Sequence, residues 1–201
     1  AGTDLVKVVT PSKPYTWDQN KGVWAQPTDA QTQPAAADRC HVVAIDCGLK
    51  RNMLRSLVQA GCRVTAVPAQ TPAEEILALQ PTGSFVSNGP GDPEPVTYTQ
   101  NTLKRLIGKK PIFGICLGHQ LLAHALGAGT FKLKFGHRGG NQPVQNVGTG
   151  KVEITSQNHG FAVDTKSLIK AGGEPTHINL NDQTLEGFRH TSEPVFAVQY
   201  H

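Results

Sequence analysis

The 201-residue sequence has little cysteine, few aromatics and no long apolar run. Its four cysteines, Cys40, Cys47, Cys62 and Cys116, are spread without CxxC spacing. That argues against a metal site and against a disulfide framework, so no metal and no cofactor are expected in this chain. A cysteine with neither role is by default a small buried hydrophobe, and Cys40, Cys47 and Cys62 are expected to be that. No stretch approaches the roughly 18 apolar residues of a spanning helix, and no signal peptide opens the chain. No membrane partner is expected, and a cytoplasmic address follows as the default. Charge is also thin: the net value is +4, and the densest basic groups, Lys50-Arg51 and Lys109-Lys110, are only pairs. A nucleic-acid footprint needs a denser patch, so no nucleic-acid partner is expected.

Glycine (21) and proline (14) are raised, which points to many tight turns between short elements. Residue 1 is Ala, not Met, and residue 201 is a His directly after a strand-like run, so the chain reads as a fragment cut at both ends. Residues 1–39 show no sustained period, and Asp18 to Arg39 has the composition of a linker. Residues 1–39 are therefore expected to be the tail of an upstream domain plus a linker, and residues 40–201 the functional domain.

From His41 the texture changes to alternating strands and helices. Strands are expected at His41–Asp46, Arg63–Val67, Ser84–Ser87 and Pro111–Ile115. Helices are expected at Lys50–Ala60, Val96–Ile107 and Leu117–Leu126, with a short one at Pro72–Leu79 capped by Thr71. After Gly127 the pattern shifts to strand pairs: Thr130–Phe135, Val152–Ser156, His177–Leu180, Leu185–Phe188 and Val195–Tyr200. The fold class is α/β, a mostly parallel sheet flanked by helices. Ligands of such sheets bind at the carboxyl ends of the strands, here just after Asp46, Ser87, Ile115 and Tyr200.

The sharpest local signal lies at one of those ends. In Phe113-Gly114-Ile115-Cys116-Leu117-Gly118 a strand ends, a helix starts, and one cysteine stands between with glycines two residues to either side. This is the pattern of a nucleophile elbow, whose tight turn pushes the nucleophile out of the surface and leaves no room for flanking side chains. The helix N-terminus beneath is expected to favour the thiolate. A thiol needs a base, and eight histidines compete. His119 lies on the nucleophile's own helix and reads as a capping or packing group; His124, further along it, reads as core or surface. His159 sits in the polar stretch Gln157–Phe161, read as a loop that could face the site. His201 tops the last strand at the catalytic edge, so position favours it, with His159 second. Glu186 and Glu193 are carboxylates that nothing places near His201. The second segment is Ser87–Pro93 (SNGPGDP), a tight loop after a strand whose backbone N–H groups could receive an oxyanion.

Together these segments resemble the class I (triad) glutamine amidotransferases, and within them the small-subunit branch of carbamoyl-phosphate synthetase. The matching pieces are DCGLKRNMLR at 46–55, SNGPGDP at 87–93, GICLGHQLLA at 114–123, KFGHRGGNQPV at 134–144, SQNHGFAVD at 156–164 and QYH at 199–201. The resemblance implies that Cys116 attacks the side-chain amide of L-glutamine, while His201 protonates the departing ammonia and then activates water. It implies backbone N–H groups of Gly89 and Leu117 as the oxyanion hole. Gly91, Gln120, Asn158, Gly160 and Phe161, with Leu117, would line the glutamine pocket. Ammonia would pass to a large ATP- and Mg-using subunit that makes carbamoyl phosphate from bicarbonate, for pyrimidine and arginine biosynthesis. In that family a Pro-Glu follows the histidine, the glutamate completing the triad, and an N-terminal domain adds a serine; this chain shows neither. Two other functions remain open: a non-hydrolysing regulatory or scaffold subunit of the same complex, which an intact Cys116 argues against, and a cysteine hydrolase of γ-glutamyl peptides.

Overall fold

A computed structural model describes residues 2–22 and 39–201. Most of the stretch read as a linker lies outside the described residues. In chain order the elements are α1 (Val6–Val9), β1 (Tyr15–Trp17), β2 (His41–Asp46), α2 (Arg51–Gln59), β3 (Arg63–Pro68), α3 (Ala73–Ala78), β4 (Gly83–Val86), α4 (Thr97–Leu106), β5 (Ile112–Ile115) and α5 (Leu117–Leu126). There follow β6 (Thr130–Asn146), β7 (Val152–Val163), α6 (Thr165–Lys170), β8 (Gly173–Asn179), β9 (Leu185–His190) and β10 (Val195–Val198).

Among the described residues, ten strands form one sheet in the order β1-β3-β2-β4-β5-β10-β9-β8-β6-β7. Its centre, β3-β2-β4-β5-β10, is parallel. The flanks are antiparallel, with β1 on one side and β9, β8, β6 and β7 on the other. The sheet is α/β as expected, parallel at its core and mixed overall.

Strand β2 shows why the layers form. Successive side chains of a strand point to opposite faces. Val43 and Ile45 enter the larger apolar core with Ile76, Leu103, Leu106 and Leu121 of α3, α4 and α5. Ala44 joins the smaller core on the other face, against Leu54 and Val58 of α2. Residues 2–22 pack onto this domain: Val6 is fully buried in the larger core, and Tyr15, Thr16 and Trp17 pair with Ala66, Thr65 and Val64.

Three local expectations shift. The short helix α3 begins at Ala73 with Pro72 as its N-cap, because Pro72 is extended (ψ 154°) and no side chain caps the end. Thr71 instead closes a turn to Pro68 and lends its carbonyl to the Thr102 hydroxyl. The stretch Gln157–Phe161 is strand, not loop, inside β7, where His159 faces His137 of β6 across the ladder. Cys40 is exposed and Cys62 only half-buried; of the three cysteines expected in the core, Cys47 alone is there.

Candidate active site

The parallel strands β2, β4, β5 and β10 all end on one side, and the residues that follow them surround a single cavity of about 610 Å³. Gly48 and Lys50 come from the end of β2, Asn88 to Gly91 from the end of β4, Cys116 and Leu117 from the β5–α5 junction, and His201 from beyond β10. The hairpin β6–β7 closes the far wall with Lys132, Arg138 and the run Asn158 to Phe161. The nine residues singled out from the sequence, Cys116, His201, Gly89, Gly91, Leu117, Gln120, Asn158, Gly160 and Phe161, all line this space.

Cys116 is the N-cap of α5 and has φ 57°, ψ −103°, a left-handed backbone that a residue with a Cβ rarely adopts. Its N–H is tied to the Val198 carbonyl at 2.9 Å and its own carbonyl accepts from Gln120 N–H at 3.2 Å, so the turn is held from both sides. The flanking glycines are a steric requirement. A Cβ on Gly114 would lie 2.7 Å from the Gly118 backbone, and one on Gly118 would run into the Val86 carbonyl. A third close approach brings Gly89 against the Cys47 carbonyl and the Leu117 side chain. This holds the β4 loop beside the elbow. Leu117 N–H, the first of α5, has no acceptor within its helix and points to the sulfur.

Electrostatically the free site differs from the expected lowered thiol. Burial pushes Cys116 up to about 11, outweighing the Leu117 N–H and the Lys50 ammonium, which both favour the thiolate. His201 is pushed down to about 4, first by burial and then by Lys50. Lys50 Nζ stands 3.1 Å from His201 Nδ1, and His201 N–H donates to the Ser156 carbonyl at 2.9 Å. The resting pair at neutral pH is therefore a neutral thiol and a neutral imidazole. His159, the second candidate base, is also held down to about 4 by burial, and its Nδ1 is engaged by the Phe161 carbonyl at 2.8 Å. His119 is fully buried against Phe188, a packing role, and His124 bonds Thr130.

Gln120 shapes the floor: its amide donates to the Phe161 carbonyl at 2.9 Å and to Gln199 Oε1 at 3.0 Å, tying α5 to β7 and β10. Asn88 braces the rim by accepting from Lys50 N–H and donating to the Gly48 carbonyl. Four residues were not singled out from the sequence. Lys50, Lys132 and Arg138 bring three cations to a cavity that no carboxylate lines, a setting for a carboxylate-bearing ligand. They stand inside the matched segments DCGLKRNMLR and KFGHRGGNQPV or just before the latter, where a closer look at the basic residues could have marked them. Glu186 is fully buried behind the cavity wall, near enough to oppose ionisation of Cys116.

The profile of the family described as glutamine amidotransferase class-I matches residues 43–201. The carbamoyl phosphate synthase small chain of Syntrophotalea carbinolica is 58% identical over 200 residues, covering 100% of this chain and 52% of that protein. The carbamoyl phosphate synthase small chain of a Nostoc species is 55% identical, covering 100% of this chain and 51% of its own length. The chain thus spans about half the length of these relatives. Among solved structures, a glutamine amidotransferase from Thermotoga maritima superposes with TM-score 0.64 at 19% identity, covering 81% of this chain and 76% of that one, a likeness of fold.

Proposed function

The chain belongs to the glutamine amidotransferase class-I family, and from that premise we propose that it hydrolyses the side-chain amide of L-glutamine at Cys116. The observation that carries the reading is the left-handed Cys116 at the head of α5, in one cavity with His201. The cations Lys50, Lys132 and Arg138 attract the α-carboxylate of glutamine and orient the amide toward the sulfur. Because the thiol rests neutral, its proton leaves only as the sulfur–carbon bond forms, taken by the neutral imidazole of His201. The tetrahedral oxyanion is received by the N–H groups of Leu117 and Gly89. His201 hands its proton to the amide nitrogen, the carbon–nitrogen bond breaks, and ammonia departs. The γ-glutamyl thioester on Cys116 is then attacked by water that His201 deprotonates, releasing glutamate and restoring the thiol.

The ammonia is consumed by a large carbamoyl-phosphate synthetase subunit, which holds the ATP and magnesium and builds carbamoyl phosphate from bicarbonate. Support for this partner is the identity of more than half of the chain's residues with proteins named carbamoyl phosphate synthase small chain. A cytoplasmic setting is supported by four free thiols, one of them exposed. In the assembled two-subunit enzyme, Cys116→Ser is expected to abolish carbamoyl phosphate formation from glutamine and to leave formation from free ammonia intact. Continued glutamine consumption by the Ser variant would defeat the assignment.

A further inference from the structure

Behind the wall of the cavity, three strands bring together a set of side chains that the hydrolysis does not use. His137 on β6, Gln157 and His159 on β7, and Glu186 on β9 are all buried. One ligand atom from each of His137, His159 and Glu186 lies within 4.8 Å of the others. The outward nitrogen of each imidazole is already engaged. His137 Nε2 meets Asp182 Oδ2 at 2.7 Å, and His159 Nδ1 meets the Phe161 carbonyl at 2.8 Å. Both partners are pure acceptors, so these nitrogens carry ring protons, and the inward nitrogens, His137 Nδ1 and His159 Nε2, are the ones turned toward the centre.

What those nitrogens meet is the unusual feature. Gln157 Oε1 lies 3.1 Å from His137 Nδ1 and 2.8 Å from His159 Nε2, and Glu186 Oε1 lies 3.2 Å from His137 Nδ1. Two imidazole nitrogens, an amide oxygen and a carboxylate oxygen thus face one centre, and the donor beside them, Asn179 Nδ2, reaches Glu186 Oε1 at 3.2 Å and lies 3.5 Å from His137 Nδ1. The second oxygen of Glu186 is buried without a hydrogen-bond partner. Acceptors crowded in this way around one buried point favour a cation between them.

We propose that His137 Nδ1, His159 Nε2, Glu186 Oε1 and Gln157 Oε1 form a four-coordinate site for a divalent ion of the zinc type. Zinc bonds of about 2.0–2.2 Å set tetrahedral ligand separations of about 3.3–3.6 Å; three pairs here stand at 2.8–3.2 Å, and His137, His159 and Glu186 lie within 4.8 Å of one another, so small side-chain adjustments reach that geometry. The outer partners are those that metal-bound histidines commonly have: a carboxylate, Asp182, behind His137, and a backbone carbonyl behind His159. No metal-binding motif marks these residues: they lie on three strands and spread over about 50 positions, from His137 to Glu186. Since His159 also lines the catalytic cavity, the ion would pin the hairpin β6–β7 to β9 and fix the cavity's far wall. The site stands on these residues alone, whatever the cavity hydrolyses.

The test is metal titration of the whole chain in a Cys116→Ala background, which removes the catalytic thiol as a competing ligand. After stripping with a chelator, zinc is added against a chromophoric chelator, and cobalt(II) is used as a visible probe. One equivalent of zinc should bind, cobalt should give the absorption of a four-coordinate nitrogen–oxygen site, and the melting temperature should rise with zinc. Asp182→Asn, at a partly exposed position that keeps all four ligands, should weaken zinc about 10–100-fold. Glu186→Gln should weaken it further. A Gln157 amide turned to donate its NH2 to the rings would satisfy them without an ion, and the titration would then show no binding. Absence of a bound ion, or binding unchanged in both Asp182→Asn and Glu186→Gln, overturns the proposal.

Discussion

Cys116 is a nucleophile kept in reserve. Only 3% of its surface is exposed and burial holds its thiol at about 11, so in the free protein it carries almost no thiolate at neutral pH. Cys40, by contrast, is exposed. A small, shapeless alkylating agent should therefore modify Cys40 well ahead of Cys116, whereas an electrophile shaped like glutamine should reverse that order by using the pocket. Peptide mapping after each reagent checks this, and Cys116 as the faster site for both would show that the thiol is already activated at rest. The position of Cys116 was legible because its requirements are written locally, in two glycines and a strand-to-helix switch. Its ionisation was not, because the dielectric around the sulfur is set by residues far along the chain. Glu186 was illegible as a site residue for the same reason: a lone charge beside a strand end ordinarily faces water.

At the scale of the element, the β5–α5 elbow depends on backbone contact. Gly118→Ala drives a methyl group into the Val86 carbonyl, and neither backbone segment can yield without moving the sheet. We expect a loss of about 2–4 kcal/mol in urea unfolding. Gly140→Ala, in β6, where an added Cβ meets nothing within 4 Å, should stay within about 0.5 kcal/mol. Equal costs for the two would mean that the glycine spacing is not a packing constraint. The central strands and helices were readable because each buries one face and repeats at 2 or 3.6 residues; β2 and α5 appear at the bounds expected. In the sequence pattern the hairpin β6–β7 shows only two short strands and a loop. Its pairing carries register shifts between Lys132 and His137 and between Gly139 and Gln142, and much of it is solvent-exposed, so hydrophobic alternation is broken where it would be diagnostic. The helix α6 is too short, at six residues, for its period to register.

For the molecule as a whole, buried neutral histidines make acid the weak direction. His119 is fully buried and held down to about 3 by desolvation, against about 6.5 when unfolded. Between those values the unfolded chain binds the proton and the folded chain does not, so stability falls as pH drops through the window. His201, at about 4, adds to the same trend, while Glu186, raised by burial, acts against it. Going from pH 7 to pH 5 should cost about 2 kcal/mol through His119 alone. His119→Leu should remove that share of the loss, read from urea midpoints at the two pH values; an unchanged pH dependence would place the acid sensitivity elsewhere. The wider architecture followed from the alternation of elements, but the packing of residues 2–22 did not: Val6 is a single apolar residue in an aperiodic stretch, and only the fold shows that it completes the core.

The most direct measurement of the central claim is to quench the protein in acid while it turns over glutamine and to map the mass of each cysteine-containing peptide. A γ-glutamyl group should appear on the peptide bearing Cys116 and be absent from Cys116→Ser. Ammonia released at the wild-type rate by Cys116→Ser, or an acyl group on another residue, would contradict the account.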